Sequence, residues 1–208
     1  MDVDHEAKSS VGGCFLISSL YTKCVQANSH VSMYNRRMPD EQVDIVNEQD
    51  EVLYSTSKQE AHKKGLLHRT VIAEVINSDG NWLLVKQSSN KQDAGQYVSP
   101  IGGHVQAGES TSEAIKREAF EELGISRFTF KLKGKCIYNR TVSGRKENHY
   151  FIIYEIRSDE KPILNEESES FKKFSPKELK TALRKSPEIF GDAFFPVIEC
   201  CYPDLLKL

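Results

Sequence analysis

The segment that most constrains the fold spans residues 102–125 and reads GGHVQAGESTSEAIKREAFEELGI. Ser110 is followed three positions later by Glu113, and this capping box is typical of the first turn of a helix. Gly124 supplies the left-handed residue at which many helices end. We therefore predict a helix that begins at Thr111 and ends just before Gly124. Its apolar stripe, which can pack on a core, consists of Ile115, Ala119 and Leu123.

The predicted helix also carries three glutamates that face elsewhere together: Glu118, Glu121 and Glu122. Side chains three and four positions apart share a face of a helix, so these carboxylates repel one another unless a positive charge lies between them. Many acidic helix faces simply point to solvent. That explanation does not account for Gly102 and Gly103 just before the helix. Glycine carbonyls beside three carboxylates offer the hard oxygen ligands that Mg²⁺ or Mn²⁺ accepts.

The spacing of these residues resembles a known motif. The seven fixed positions of the pattern GX5EX7REUXEEXGU are filled here by Gly103, Glu109, Arg117, Glu118, Glu121, Glu122 and Gly124. This is the Nudix box, and so many fixed positions within one short segment rarely match by chance. The resemblance implies an α/β (α+β) fold, in which a mixed sheet lies between helices in an α/β/α sandwich.

Apolar alternation and turn residues predict the remaining elements. Strands are predicted at VDIV and EVLY, at RTVIAEVI and WLLVK with the turn NSDG between them, and at FTFKLKGKCIYNRT and HYFIIYEI. Helices are predicted at SPKELKTALRK, with Ser175 as its cap, and from Pro196 to Leu208. Residues 1–38 lack periodicity and are predicted to be a poorly ordered tail that precedes a Nudix domain at residues 39–208.

Composition argues against several classes of protein. The net charge of -2 provides no basic field for nucleic acid, and no apolar run reaches the roughly 18 residues that a membrane span requires. The five cysteines are odd in number and show no CxxC spacing, which indicates a reducing, cytoplasmic compartment rather than a disulfide framework or a zinc site. We therefore expect a small-molecule diphosphate substrate, with no nucleic-acid or membrane partner. A homodimer is an expectation at the level of the family.

The resemblance implies roles for the motif residues. Glu118, Glu121 and Glu122 would hold Mg²⁺ or Mn²⁺ for catalysis, helped by the backbone carbonyl near Gly102 or Gly103.

Other acidic and basic residues receive roles in the same way. Arg117 would brace the loop on the helix through a charge-assisted hydrogen bond, with Glu109 as its partner. The general base is either a motif glutamate or an acid of the loop NEESESF, where Glu167 and Glu169 are candidates. A merely solvated acidic loop explains the latter two residues equally well.

Three further segments, DEQVDIVNEQDEV, AHKKGLLHR and GGHVQAGES, look like the Nudix branch that includes type I isopentenyl diphosphate isomerases and related hydrolases. In those isomerases the histidine that matches His104 binds metal, so His104 is a candidate ligand here. His62 and His68 are its candidate partners, although a lone histidine is more often exposed or hydrogen-bonded.

The sequence departs from the isomerase pattern at informative positions. Gly102 stands where the isomerase cysteine faces the substrate double bond, and Gln87 and Ser88 stand where paired arginines are expected. Binding of a diphosphate would therefore use other cations, and the candidates are Lys86, Lys91, Arg140 and Arg145.

These observations predict a metal-dependent Nudix pyrophosphohydrolase. Its substrate would be a nucleoside diphosphate derivative or a related organic diphosphate. One alternative is an isopentenyl diphosphate isomerase, which uses the same fold for proton transfer at carbon. Another is a catalytically silent Nudix domain that senses nucleotides, but a pure sensor has no need of every metal ligand, and the glutamate set is complete here.

Overall fold

Residues 40–142 and 144–207 are described by the structure, which is a computed structural model. The strands are β1 (Gln42–Val46), β2 (Val52–Ser57), β3 (His68–Ile76), β4 (Trp82–Gln87), β5 (Tyr97–Val98), β6 (Ile101–His104), β7 (Thr129–Val142), β8 (Arg145–Arg157) and β9 (Ser168–Phe174). The helices are α1 (Lys58–Lys64), α2 (Thr111–Leu123), α3 (Pro176–Lys185) and α4 (Phe194–Cys201). Short 3-10 turns lie at Pro187–Ile189 and Pro203–Leu205.

Strand β3 is the centre of the sheet. One of its edges pairs with β8 in parallel from His68 to Ile76, while its other edge is shared in turn by β1, β6 and β4, all antiparallel. Strands β7 and β8 form a long hairpin, and β4 also pairs with β5 and β9. The sheet is therefore mixed, and pairing with β3 places Gly102 and Gly103 within strand β6 rather than in a loop.

Helix α2 covers one face of the sheet. Side chains alternate between the two faces along a strand, so every second residue of β3 points towards this helix. The cluster that they form with α2 is fully buried, and it includes Val71, Ala73, Val75, Ile101, Ile115, Ala119 and Leu123.

Helices α3 and α4 cover the opposite face. The alternate residues Ile72 and Ile76 of β3 lie on this side. Around them pack Phe174, Leu179, Leu183, Phe190, Phe194, Val197 and Ile198. The predicted α/β/α sandwich with a mixed sheet is confirmed.

The prediction for the central helix is also confirmed in detail. Helix α2 spans Thr111–Leu123, the Ser110 and Glu113 side chains make both bonds of the capping box, and Gly124 ends the helix with a φ of 63°. The sequence predicts the limits of this helix well because its capping residues, its apolar stripe and its terminal glycine all lie within one short segment.

Two predictions need correction. The last helix begins at Phe194 and ends at Cys201, rather than running from Pro196 to Leu208. Pro196 lies in its first turn, where a missing N–H costs little. Strand β9 was not expected, since the segment around Glu169 was interpreted as an acidic loop. Its residues are mostly exposed and polar, so apolar alternation gives no signal there.

The predicted tail at residues 1–38 lies outside the described residues. The described ones belong to the unit Pro39–Leu208. The division at residue 38 stays a prediction.

We expect Ile115→Ala to lower the free energy of unfolding by about 2–5 kcal/mol, because the Ile115 side chain is 0% exposed between α2 and the sheet. Phe120→Ala on the same helix is the control. Phe120 is 65% exposed, so its replacement should cost less than about 1 kcal/mol. Chemical denaturation measures both variants, and similar losses would contradict the assignment of the buried stripe.

Candidate active site and a buried histidine cluster

Strand β6 and helix α2 meet at Gly103. A Cβ at this position would overlap the carboxylate of Glu118, so the close approach requires glycine. At the neighbouring Gly102 a Cβ would meet nothing within 4 Å. The two glycines therefore serve different purposes: one admits a carboxylate, and the other leaves open space.

Arg117 ties the loop to the helix. Its guanidinium donates from Nε to Glu109 Oε1 at 2.9 Å and from Nη2 to Glu109 Oε2 at 2.8 Å. It also donates to the backbone oxygen of His104 at 3.0 Å and to Glu118 Oε1 at 2.5 Å. The hydrogen bond to Glu109 is the main reason that the pKa of Arg117 is raised. These contacts join the loop to the helix, and the role of Arg117 in the site stays a prediction.

The three helix glutamates differ in their surroundings. Glu118 is 7% exposed, Glu122 is half-buried and Glu121 is exposed. Burial raises the pKa of Glu118, although Arg117 opposes the effect. Burial, and next the charge of Glu167, raise the pKa of Glu122 to about 7. Neighbouring carboxylates with raised pKa values resist ionisation because burial disfavours their charged forms and their charges repel one another. A bound cation would stabilise their charged forms, so this group suits a cation site.

The acidic loop before β9 approaches this cluster. Glu167 lines the same cavity as Glu122, and Asn165 Nδ2 donates to Glu122 Oε2 at 3.1 Å. Lys91 Nζ lies 2.5 Å from Glu167 Oε1. The structure thus brings Glu122, Glu167 and Lys91 together, three residues that are far apart in the sequence.

Lys86 and Arg140 pair with carboxylates other than Glu167, and Asp93, a partner of Arg140, lines the same cavity as Glu122. Lys86 Nζ is 3.6 Å from a carboxylate oxygen of Glu169. Arg140 is held by Asp93 at 3.0 Å and by Glu147 at 2.7 Å, so its guanidinium is already neutralised by two carboxylates. Arg145 lines a different cavity.

A second cluster consists of four histidines, namely His62 on α1, His68 on β3, His104 on β6 and His149 on β8. One ring nitrogen from each lies within 4.8 Å of the corresponding nitrogens of the other three. The Nε2 atoms of His62 and His104 are 3.1 Å apart. Two nitrogens bound to one zinc ion at about 2 Å each would be roughly 3.3 Å apart, so this separation fits a shared metal ion.

The protonation states of these imidazoles also fit a metal. The Nδ1 atom of His68 lies 2.7 Å from the carbonyl oxygen of Leu66, which can only accept, so Nδ1 carries the proton and Nε2 keeps its lone pair. The buried atoms His68 Nε2 and His149 Nε2 have no hydrogen-bond partner among the described residues. Such orphaned nitrogens need an explanation, and a bound cation provides one.

Burial is the main cause that lowers the pKa of all four histidines, to about 4 for His62 and about 2 for His149. They are therefore neutral at pH 7, which is the form that coordinates metals.

The two clusters lie on opposite faces of β6. Successive side chains of a strand point to opposite faces. Gly103 faces Glu118, so the adjacent His104 points away from it. The structure therefore places His104 with three other histidines and not with the motif glutamates. Sequence analysis did not single out His149, because a histidine within the apolar alternation of HYFIIYEI carries no signal of its own.

The NUDIX domain family profile matches residues 66–194, more than half of the chain. The chain belongs to the Nudix family. An isopentenyl-diphosphate Delta-isomerase of Serratia proteamaculans is 31% identical over 163 residues, which cover 77% of this chain and 90% of the relative. A Nudix hydrolase of Deinococcus radiodurans is 32% identical over 130 residues, which cover 61% of this chain and 73% of the relative.

Solved structures agree with this assignment. A crystal structure of a protein from Deinococcus radiodurans matches this Nudix chain with a TM-score of 0.61 and 25% identity, covering 77% of this chain and 99% of that one. Family membership supports an enzyme that hydrolyses pyrophosphate bonds with a divalent metal in small-molecule diphosphates. None of the described helices is long and apolar enough to cross a membrane.

We expect Gly103→Ala to destabilise this Nudix domain by about 1–3 kcal/mol, because the new methyl group must displace the Glu118 carboxylate. Gly102→Ala is the matched control, since its methyl group enters open space. Thermal and chemical unfolding of both variants give the comparison. If Gly102→Ala were the more damaging change, the placement of Glu118 against Gly103 would be wrong.

Proposed function

We propose that the chain is a metal-dependent hydrolase that cleaves the pyrophosphate linkage of a nucleoside diphosphate derivative or a related organic diphosphate. The observation that carries this proposal is the complete set of Glu118, Glu121 and Glu122 on α2. Arg117 donates to the first two, and Glu122 lines a cavity.

These glutamates provide hard oxygen ligands, so they fit Mg²⁺ or Mn²⁺. A divalent ion held there would supply neutralisation of the charge on the phosphoryl oxygens and a more acidic bound water. In the proposal, Glu118, Glu121 and Glu122 hold the ion, with the backbone of Gly103 beside them.

The general base in this proposal is Glu122 or Glu167. Either carboxylate would take the proton of the attacking water, since both line the cavity beside which the diphosphate would lie. Lys91 is already next to Glu167 and would bring a positive charge to the same place.

The proposal keeps the substrate class and the location that the sequence predicts. The net charge of -2 supports a small-molecule substrate rather than nucleic acid, and the cysteine pattern supports a cytoplasmic location. A homodimer is retained as a family-level expectation.

Isomerisation of isopentenyl diphosphate is the second candidate. Several similar proteins carry that name, and the histidine cluster contains the residue that matches a metal-binding histidine of isomerases. Against it, Gly102 has no side chain with which to donate or accept a proton at carbon.

The first experiment assays a panel of nucleoside diphosphate derivatives and organic diphosphates with and without Mg²⁺ or Mn²⁺. We expect metal-dependent release of phosphate or nucleoside monophosphate. Glu122→Gln should lower turnover by roughly a hundredfold or more, because the amide keeps the shape but loses the charge that holds the metal. Glu48→Gln, an exposed position in the turn after β1, should behave as wild type.

A second assay tests the isomerase alternative by incubating the protein with isopentenyl diphosphate in deuterated water. Robust incorporation of deuterium into dimethylallyl diphosphate, with no hydrolysis of any diphosphate, would overturn the hydrolase assignment in favour of the isomerase.

We further propose that the four histidines bind one transition-metal ion. Imidazole nitrogen suits Zn²⁺ and similar ions better than Mg²⁺, and four neutral imidazoles supply a tetrahedral set. The ion would join α1, β3, β6 and β8.

We expect the purified protein to contain about one equivalent of a transition metal, as measured by elemental analysis. His149→Ala should remove most of it and lower the melting temperature, whereas Glu122→Gln should retain it. A metal content that does not change in His149→Ala would show that the cluster is not the site.

A further inference from the structure

A buried carboxyl group lies behind the candidate active site. Glu74 is on β3 and its side chain is 0% exposed. Ser99 Oγ donates a hydrogen bond to Glu74 Oε1 at 2.5 Å, and Glu74 Oε2 has no partner among the described residues. Burial raises the pKa of Glu74 to about 7. An acid in this position is costly to bury, and neither proposed metal site uses it.

Ser99 connects this carboxyl group to the cavity that contains Glu122 and Glu167. The cavity measures about 150 Å³, and its walls include Ile72, Val85, Ile101 and Phe194. A cavity of roughly this volume holds one benzene-sized ring. The open space at Gly102 belongs to the same cavity.

The direction of the Ser99 hydrogen bond decides what the cavity can recognise. A hydroxyl has one hydrogen to donate and two lone pairs to accept. Glu74 Oε1 takes this hydrogen when the carboxyl group is ionised or carries its proton on the unpaired Oε2. Ser99 Oγ is then left to accept a hydrogen bond, and among the described residues none donates to it. A bound group with an O–H or N–H would satisfy this oxygen, whereas a hydrocarbon would leave it unsatisfied.

We propose that Ser99, oriented by Glu74, forms a specificity subsite for a single polar ring that carries an O–H or N–H donor, attached to the diphosphate. This inference rests on the proposed hydrolase function and names its substrate class. The apolar walls contact the faces of the ring, and Ser99 accepts from its donor. Ser99 is the binding residue and Glu74 is its positioning residue.

Matched pairs of ligands test this subsite. The ligands are non-hydrolysable methylene diphosphonate esters. The ester of cyclohexanol is compared with the ester of each positional isomer of cyclohexanediol, and calorimetry measures the binding of each. We expect the best hydroxylated ester to bind wild type roughly tenfold more tightly than the cyclohexyl ester, and Ser99→Ala to abolish that ratio. The corresponding diphosphate esters, assayed for hydrolysis, should show the same ratio in kcat/KM.

Three variants separate positioning from general damage. Glu74→Gln keeps an oxygen that accepts from Ser99, so it should retain the preference, whereas Glu74→Leu should lose it. Tyr154→Phe is the control, because it removes a hydroxyl that pairs with Thr111 at 2.7 Å on the opposite face of the sheet. It should leave the preference unchanged.

The outcomes are distinguishable. If wild type shows no preference, if Ser99→Ala keeps it, or if Tyr154→Phe also loses it, the subsite is overturned. If the diphosphonates show the expected preference but no ester is hydrolysed, the subsite stands and the hydrolase proposal fails. If hydrolysis is strong and independent of Ser99, the hydrolase proposal stands and the subsite fails.

Discussion

The ion pair between Arg117 and Glu109 is the interaction on which the candidate site depends. It joins the loop before α2 to the helix itself, with bonds of 2.8 and 2.9 Å, and the same guanidinium reaches His104 O and Glu118. A bidentate guanidinium has little freedom to rotate, so the loop is fixed relative to the first turns of α2. Carboxylates that would otherwise separate by repulsion are thereby kept in one place.

The sequence predicted those parts of the molecule that depend on neighbours in the chain. The limits of α2, from its cap at Ser110 to Gly124, follow from residues within one segment, and so does the family. The sandwich followed from the same resemblance. The roles of the site residues stay predictions, although the geometry around Arg117 has the form that was expected.

The parts that the sequence did not predict depend on pairing between distant segments. His149 joins the other histidines only because β8 runs parallel to β3, with His149 opposite His68. Strand β9 has few apolar residues because it lies at an edge and pairs with β4. Glu74 resembles any polar residue in an apolar run until Ser99 is placed beside it. No local sequence pattern predicts these contacts between distant residues, since each contact depends on the register of strands across the whole sheet.

Strand β6 is only four residues long, yet its alternation separates two kinds of chemistry. Gly103 faces the Glu118 carboxylate, while Gly102 lines the cavity and His104 points to the imidazoles. A change of the His104 side chain can therefore alter the histidine cluster and leave the Glu118 carboxylate in place. A single insertion or deletion before Gly102 would instead exchange the faces and disable both centres at once. Over evolution, the length of the chain that leads to these residues is therefore constrained together with the glycine at position 103.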